Sequence, residues 1–236
     1  MNIPVCFFAA TESRISFIFH HARPEAIVII ICLVFFSVFA WATMIRKFLQ
    51  MSRARKLDVY FENEFRAQAH VLDIYDRRLD VQGCPMFTVY QQGCTELDAR
   101  LKDGETRKKL LTIKSMEHIK RTLEGEVARE CLRLESGLIL LAIAVSGAPF
   151  LGLLGTVWGV MDTFAAIGIE GRATLETMAP GVSAALVTTV AGLLVAIPSM
   201  FAYNGLVHSL RVRSVELDNF AQSLVSRIET EHMQES

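Results

Sequence analysis

Charge is missing from this sequence in three places, and those gaps say more than its total. Lys and Arg number 24 against 25 Asp and Glu in 236 residues, a formal charge of −1, so the balance itself carries little and no nucleic-acid partner is expected. No Asp, Glu, Lys or Arg occurs from Ala26 to Ile45, from Gly137 to Met161, or from Thr177 to Leu210. Each gap is at least about as long as a membrane-spanning helix, which takes roughly 20 residues. Cysteine pairing is missing as well. Cys6, Cys32, Cys84, Cys94 and Cys131 form no CxxC and no Cys/His ligand spacing, which argues against a disulfide framework and against a metal site. Strand alternation, internal repeats and low-complexity tracts are absent. So are a phosphate loop, a nucleophile with its base, and the paired inverted repeats of many carriers. His118, His208 and His232 are scattered along the chain. Neither an enzyme nor a cofactor is expected.

The first gap begins late and runs past the length of a signal core, so it reads as a retained span. Arg46, Lys47, Arg53, Arg55 and Lys56 crowd its exit, and Arg211 and Arg213 follow the third span. Cytoplasmic flanks carry the excess of Lys and Arg, so both flanks are expected inside. The N-terminus, where Arg14 and Arg23 are offset by Glu12 and Glu25, and the loop "EGRATLE" then lie outside.

The long insertion between the first two spans is rich in charge, poor in proline and glycine, and reads as helices. Leu57, Phe61, Phe65, Ala69, Leu72 and Leu79 recur at helical steps, predicting an amphipathic helix that runs on from the first span. "VQGCPMFT" breaks it, and Pro85 can open the next. Ile113, Met116, Ile119, Leu123, Val127 and Leu134 keep helical spacing, and this helix is expected to enter the second span without a stop. Beyond the third span Leu206, Leu210, Leu217, Phe220, Leu224 and Ile228 form one stripe. Such stripes pack cores. A chain with so little core of its own needs neighbours, so an oligomer is expected.

What the second gap contains is unlike a lipid-facing helix: "GAPFLGLLGTVWGVMDT" carries four glycines, a proline, two threonines and an aspartate. Gly152, Thr156, Gly159 and Thr163 share a helical face, and Gly155 and Gly159 form a GxxxG pair beside it. In the third span Gly181, Ala185, Thr188 and Gly192 line one face, with Thr189, Gly192 and Ala196 along its edge. Small residues let backbones approach, and in lipid that close packing supplies much of the association energy. The threonines admit two readings. Each hydroxyl can bond a carbonyl one turn back in its own helix, or two hydroxyl-bearing helices can face one space and hold a file of waters along which a proton moves, provided a titratable group interrupts it. Asp162 lies six residues beyond Thr156, about 9 Å along a helix; it is either an ionisable functional group or a hydrated carboxylate near the interface. Trp158 reads as an interface anchor or packing residue.

"GAPFLGLLGTVWGVMDTF" and, after a short loop, "MAPGVSAALVTTVAGLLVAIPSMFAYN" resemble the second and third spans of the MotA/TolQ/ExbB proton-channel family, closest to its TolQ and ExbB branches. The likeness covers about sixty residues closely; the helix "LEGEVARECLRLESGL" before it also looks like the family, while residues 1 to 110 match only in plan. The resemblance implies an all-α membrane protein, with three transmembrane helices, long helical cytoplasmic extensions and an oligomeric bundle. The expected divisions are a periplasmic N-terminus (1–25), a first transmembrane helix (26–45), a cytoplasmic helical domain (46–136), a second transmembrane helix with its outer end (137–169), a short periplasmic loop (170–177), a third transmembrane helix (178–207) and a cytoplasmic C-terminal helix (208–236).

The resemblance further implies a pentamer in the bacterial inner membrane lipid, around the helices of a dimeric, single-span TolR- or ExbD-like partner. That assembly would drive a TolA- or TonB-like transducer with proton motive force. By position, Thr156 and Thr189 match the family's pore-facing threonines, and Pro180 and Gly181 its opening of the third span. One position departs: where the two branches read "APGIAEAL" or "APGISEAL", this chain reads "APGVSAAL", so Ala184 stands in place of a pore glutamate. Two functions follow as expectations. One is a proton-conducting stator subunit, serving either envelope integrity and division or TonB-dependent uptake. The other is a non-conducting helical membrane scaffold of the same fold.

Overall fold

Helix α1 spans Pro24–Ala67, α2 Asp73–Asp76, α3 Pro85–Leu101, α4 Ile113–Glu135, α5 Leu138–Glu170 and α6 Leu175–His232. A two-residue antiparallel ladder, β1 (Lys102–Asp103) with β2 (Thr106–Arg107), follows α3. The computed structural model describes residues 24–103, 106–107 and 110–232; Cys6, Glu12, Arg14 and Arg23 lie outside the described residues. The architecture is all-α, and α1, α5 and α6 are long and apolar enough to cross a membrane. The chain divides into two compact units, residues 1–45 with 137–204, and residues 46–136 with 205–236.

In the first unit Ile29 and Leu33 of α1 pack with Ala148 of α5 and with Val195 and Ala196 of α6. Most apolar side chains of these helices face outward: Phe35, Val38, Ile139, Phe150, Val190 and Phe201 are all exposed. Such a surface is stable against lipid or further helices, not against water. Proline at the first position of α1 costs no hydrogen bond, because that amide has no intrahelical acceptor, and Glu25 beside it complements the helix dipole.

The second unit has a conventional core. Phe61 and Phe65 of α1, Phe87 and Tyr90 of α3 and Phe220 of α6 form an aromatic cluster with centroid separations from 5.3 to 6.4 Å. Ile119 and Leu123 of α4 and Leu217, Leu224 and Ile228 of α6 close around it. The Tyr90 hydroxyl donates to the Val71 carbonyl at 2.7 Å and accepts from the Tyr75 amide at 2.9 Å, so a buried polar tip is satisfied at both ends. α3 starts at Pro85, with Cys84 as its N-cap; the Cys84 sulfur accepts from the Phe87 amide at 3.4 Å. Asp58 of α1 joins three elements here. One carboxylate oxygen accepts from the Met86 amide at 3.2 Å and the Cys84 thiol at 3.3 Å, and the other meets the Arg213 guanidinium of α6 at 2.8 Å. Burial lifts Asp58 above the usual carboxylate range, and the Met86 amide, Cys84 and Arg213 pull it part of the way back.

Two expectations about this unit are corrected. α1 does not continue through Leu79: it ends at Ala67, and both Ala69 and Leu79 are exposed. Arg227 of α6 donates to the Phe65 carbonyl at 2.9 Å and also to that of Gln68, binding carbonyls in the last turn of α1 and just beyond it. The next amides go to carboxylates, Val71 to Glu231 at 3.0 Å and His70 to Asp73 at 3.0 Å. With its terminal groups met from elsewhere, the backbone loses nothing by leaving the helix. Nor does α4 run uninterrupted into α5. α4 closes at Glu135, and Gly137 sits at φ 84°, a left-handed conformation that glycine adopts without the Cβ clash of other residues. Ile113, placed on the buried stripe, is 78 % exposed; Met116, Ile119, Leu123, Val127 and Leu134 are buried.

Candidate functional site

α5 and α6 touch along the small residues. A Cβ at Gly152 would lie 3.1 Å from both the Thr188 carbonyl oxygen and Thr189 Cα; one at Gly159 would lie 2.7 Å from the Gly181 carbonyl oxygen. A Cβ at Gly192 would lie 2.6 Å from the Ala148 carbonyl oxygen. These distances are below van der Waals contact, so glycine is required by the approach of the two backbones and not by local conformation. Replacing Gly192 with alanine is expected to destabilise the pair by about 1 to 3 kcal/mol through overpacking, readable as a lower thermal midpoint of the detergent-solubilised protein.

The two threonines singled out by sequence lie on this pair. The Thr156 side chain is half-buried and donates to the Leu153 carbonyl at 2.6 Å, within its own helix. Thr189, also half-buried, crosses to α5: its hydroxyl meets the Gly152 carbonyl at 3.1 Å, with the Ala185 carbonyl of its own helix at 3.5 Å. Gly152 is one turn before Thr156 on α5. Thr188 and Thr163, which the sequence placed on shared faces without a role, are more deeply buried than either, at 0 % and 4 % exposure.

Toward the C-terminal end of α5 and the N-terminal start of α6 the same pair borders a cavity of about 230 Å³. Asp162 and Ala184 both line it, together with Trp158, Pro180 and Gly181. Glu170, Glu176 and Thr177 line it too. Sequence gave no reason to join those three to Asp162, because they stand on the two sides of a loop and meet only when α5 and α6 pair. Pro180 lies inside α6 and has no amide to offer the Glu176 carbonyl. No group of three or more His, Cys, Asp or Glu able to hold a metal ion occurs among the described residues.

Residues 94–219, which include the whole of α5 and both threonines, match the model of the MotA/TolQ/ExbB proton channel family. The chain belongs to that family. It is 34 % identical over 194 residues to the Tol-Pal system protein TolQ of Haemophilus influenzae, covering 80 % of this chain and 82 % of that protein. To the biopolymer transport protein ExbB of Neisseria meningitidis it is 26 % identical over 215 residues, 91 % of this chain and 97 % of that protein. A shorter match, 44 % over 89 residues, is to TolQ of Pseudomonas aeruginosa. Relatives of both names match at substantial length. With α1, α5 and α6 as candidate spans, this member of the MotA/TolQ/ExbB family is a multi-pass membrane protein of the TolQ/ExbB proton-channel type.

Proposed function

We propose that this chain is the proton-channel subunit of a TolQ–TolR or ExbB–ExbD type complex of the bacterial inner membrane, coupling proton motive force to work on the cell envelope. The observation that carries the reading is the α5–α6 pair itself. Its backbones are in contact through glycine, and it holds Thr156 and Thr189 about one turn apart on apposed helices, inside the segment that matches the family model. Five copies enclosing the helices of a single-span partner would give the outward apolar surfaces their neighbours, with a TolA- or TonB-like protein as transducer. In that assembly the Thr156 and Thr189 hydroxyls exchange their backbone carbonyls for water, and Gly152, Gly155, Gly159, Pro180, Gly181 and Gly192 shape the passage. Ala184 supports a second reading, a non-conducting scaffold of the same fold, since it supplies no acid.

Valine keeps the shape of threonine and removes the hydroxyl. Thr156→Val and Thr189→Val are each expected to lower proton-driven function about tenfold, equivalent to ~1.4 kcal/mol at the barrier, with assembly judged by native mass spectrometry unchanged at five copies. Normal function in both variants removes the water-file role and leaves the two hydroxyls bonded to backbone carbonyls, and a stable monomer removes the channel reading.

The orientation proposed, N-terminus periplasmic and C-terminus cytoplasmic, has its own test. Cys84 and Cys94 are poor reporters of it, since they are 1 % and 0 % exposed and burial pushes both thiols up to about 12. Exposed positions serve instead. With the native cysteines replaced, Arg172→Cys is expected to react with an impermeant maleimide on intact spheroplasts, and Glu117→Cys only after lysis; the opposite order inverts the topology.

A further inference from the structure

α5 and α6 exchange side chains for glycines in both directions. Thr188 of α6 occupies the place of a side chain at Gly155 of α5: a Cβ there would stand 2.5 Å from Thr188 Cβ and 2.9 Å from its Cγ2, and would collide with its Oγ1. Thr163 of α5 does the same at Gly181 of α6, where a Cβ would collide with Thr163 Oγ1 and lie 3.4 Å from Thr163 Cβ. Neither threonine is arranged as a water ligand. Thr188 donates to the Ala185 carbonyl at 2.7 Å, with the Gly152 carbonyl out at 3.5 Å, and Thr163 donates to the Gly159 carbonyl at 2.8 Å. A hydroxyl bonded back to its own helix holds χ1, so what meets the facing helix is a stiff, branched peg. Along α5 the hole at Gly155 and the peg at Thr163 are eight residues apart, about 12 Å; along α6 the hole at Gly181 and the peg at Thr188 are seven apart, about 10.5 Å. Two pegs pointing opposite ways, two turns apart, admit one register. A slide of one residue, about 1.5 Å, would drive both against backbone.

We propose that Thr163 and Thr188 are positioning residues that set the register of α5 against α6, and thereby direct the Thr189 hydroxyl to the Gly152 carbonyl beside the turn that carries Thr156. The consequence for proton flux rests on the channel reading above; the register does not. Spin labels at Ser146→Cys on α5 and Met200→Cys on α6, in the full chain with its other accessible cysteines replaced, report the register as an inter-label distance. Proton flux per assembled complex is measured in parallel.

Gly155→Ala is expected to shift or broaden that distance by about 1.5 Å or more and to lower flux about tenfold. The exchange Gly155→Ala/Thr188→Gly moves the bulk to the other helix; it is expected to restore the distance and bring flux within about threefold of the parent, short of full recovery because glycine weakens α6. Thr188→Val, which keeps the peg and removes the hydroxyl, is expected to change neither. The proposal is overturned if Gly155→Ala leaves the distance unmoved, if the exchange fails to restore it, or if Thr188→Val lowers flux at an unchanged distance, which would make Thr188 a hydroxyl of the proton path. Should Gly155→Ala fail to insert, recovery of insertion by the exchange still supports the lock and its absence overturns it. Distances that respond as expected in a protein that carries no protons support the register and defeat the channel reading alone.

Discussion

Vesicles holding this chain alone are expected to take up protons no faster than empty ones, and uptake is expected to begin when the proposed TolR- or ExbD-like partner is reconstituted with it. A proton path through an apolar passage needs a group that gains and loses a proton near ambient pH, and a threonine hydroxyl does not ionise there. Neither Thr156 nor Thr189 can serve, and alanine at position 184 cannot either. Asp162 lines the cavity with Ala184, but stands about 9 Å along α5 from Thr156. We therefore propose that the essential acid belongs to the partner; the family resemblance implies an aspartate of its membrane helix, held between Thr156 and Thr189. Changing that aspartate to asparagine is expected to return uptake, followed with a pH-sensitive dye, to the level of empty vesicles. Asp162→Asn is expected to leave uptake within about twofold, because a carboxylate that far along α5 from Thr156 stands off the proposed path. Uptake through the chain alone that disappears in Asp162→Asn would move the acid into this subunit.

Arg213→Met is expected to loosen the second unit by about 3 to 5 kcal/mol, the cost of leaving a buried charge without its partner. Asp58 and Arg213 are only 5 % and 7 % exposed at the side chain, and what remains around the carboxylate after the change is the Met86 amide, the Cys84 thiol and the repelling charge of Glu216. The buried Cys94 thiol, on α3 away from the pair, reports opening of this unit through its rate of alkylation. Each 1.4 kcal/mol is a factor of ten, so the rate at pH 8 should rise about a hundredfold to several thousandfold. The pH dependence has a definite sign. Asp58 is raised in the folded unit, so its ionised form is the disfavoured one, and stability falls as pH climbs from the ordinary carboxylate value through the folded one. Removing Arg213 raises the folded value further. The penalty is then relieved as the pH is lowered, because protonating Asp58 removes the unpaired charge. A change below tenfold at pH 8 would show that the pair contributes little to holding α1, α3 and α6 together.

The close contact of α5 and α6 was legible along the chain because its signals are local. Gly152, Gly155 and Gly159 in an otherwise apolar helix announce a close neighbour, and the neighbour is α6, carrying Gly181, Ala185, Thr188 and Gly192 on the expected face. The partners of each residue were not legible. Faces on two wheels do not say which threonine enters which gap: Thr188 and Thr163, the pegs, had no part in the expected proton path, whereas Thr189 acquired a cross-helix bond to Gly152. The stripes told a similar story. Leu217, Phe220, Leu224 and Ile228 are buried as their spacing requires, but Ala69 and Leu79 are exposed although their spacing was helical too, because the helix they continue had already ended.

The sequence by itself determined three long apolar helices, a charged helical segment between the first two, and a pair of small-residue faces, because uncharged length and a 3.6-residue period act through neighbours in the chain. Tertiary structure alone decided where α1 stops, which residues line the cavity with Asp162, and which register α5 takes against α6. Arg227 and Glu231 end α1 from more than 150 residues away, Glu170 and Glu176 join Asp162 only after the chain has turned back on itself, and Thr163 and Thr188 find Gly181 and Gly155 only when two backbones come into contact. Such interactions depend on positions in space that sequence periodicity does not encode, since a hydrogen bond or a steric gap is specific to the one atom it meets.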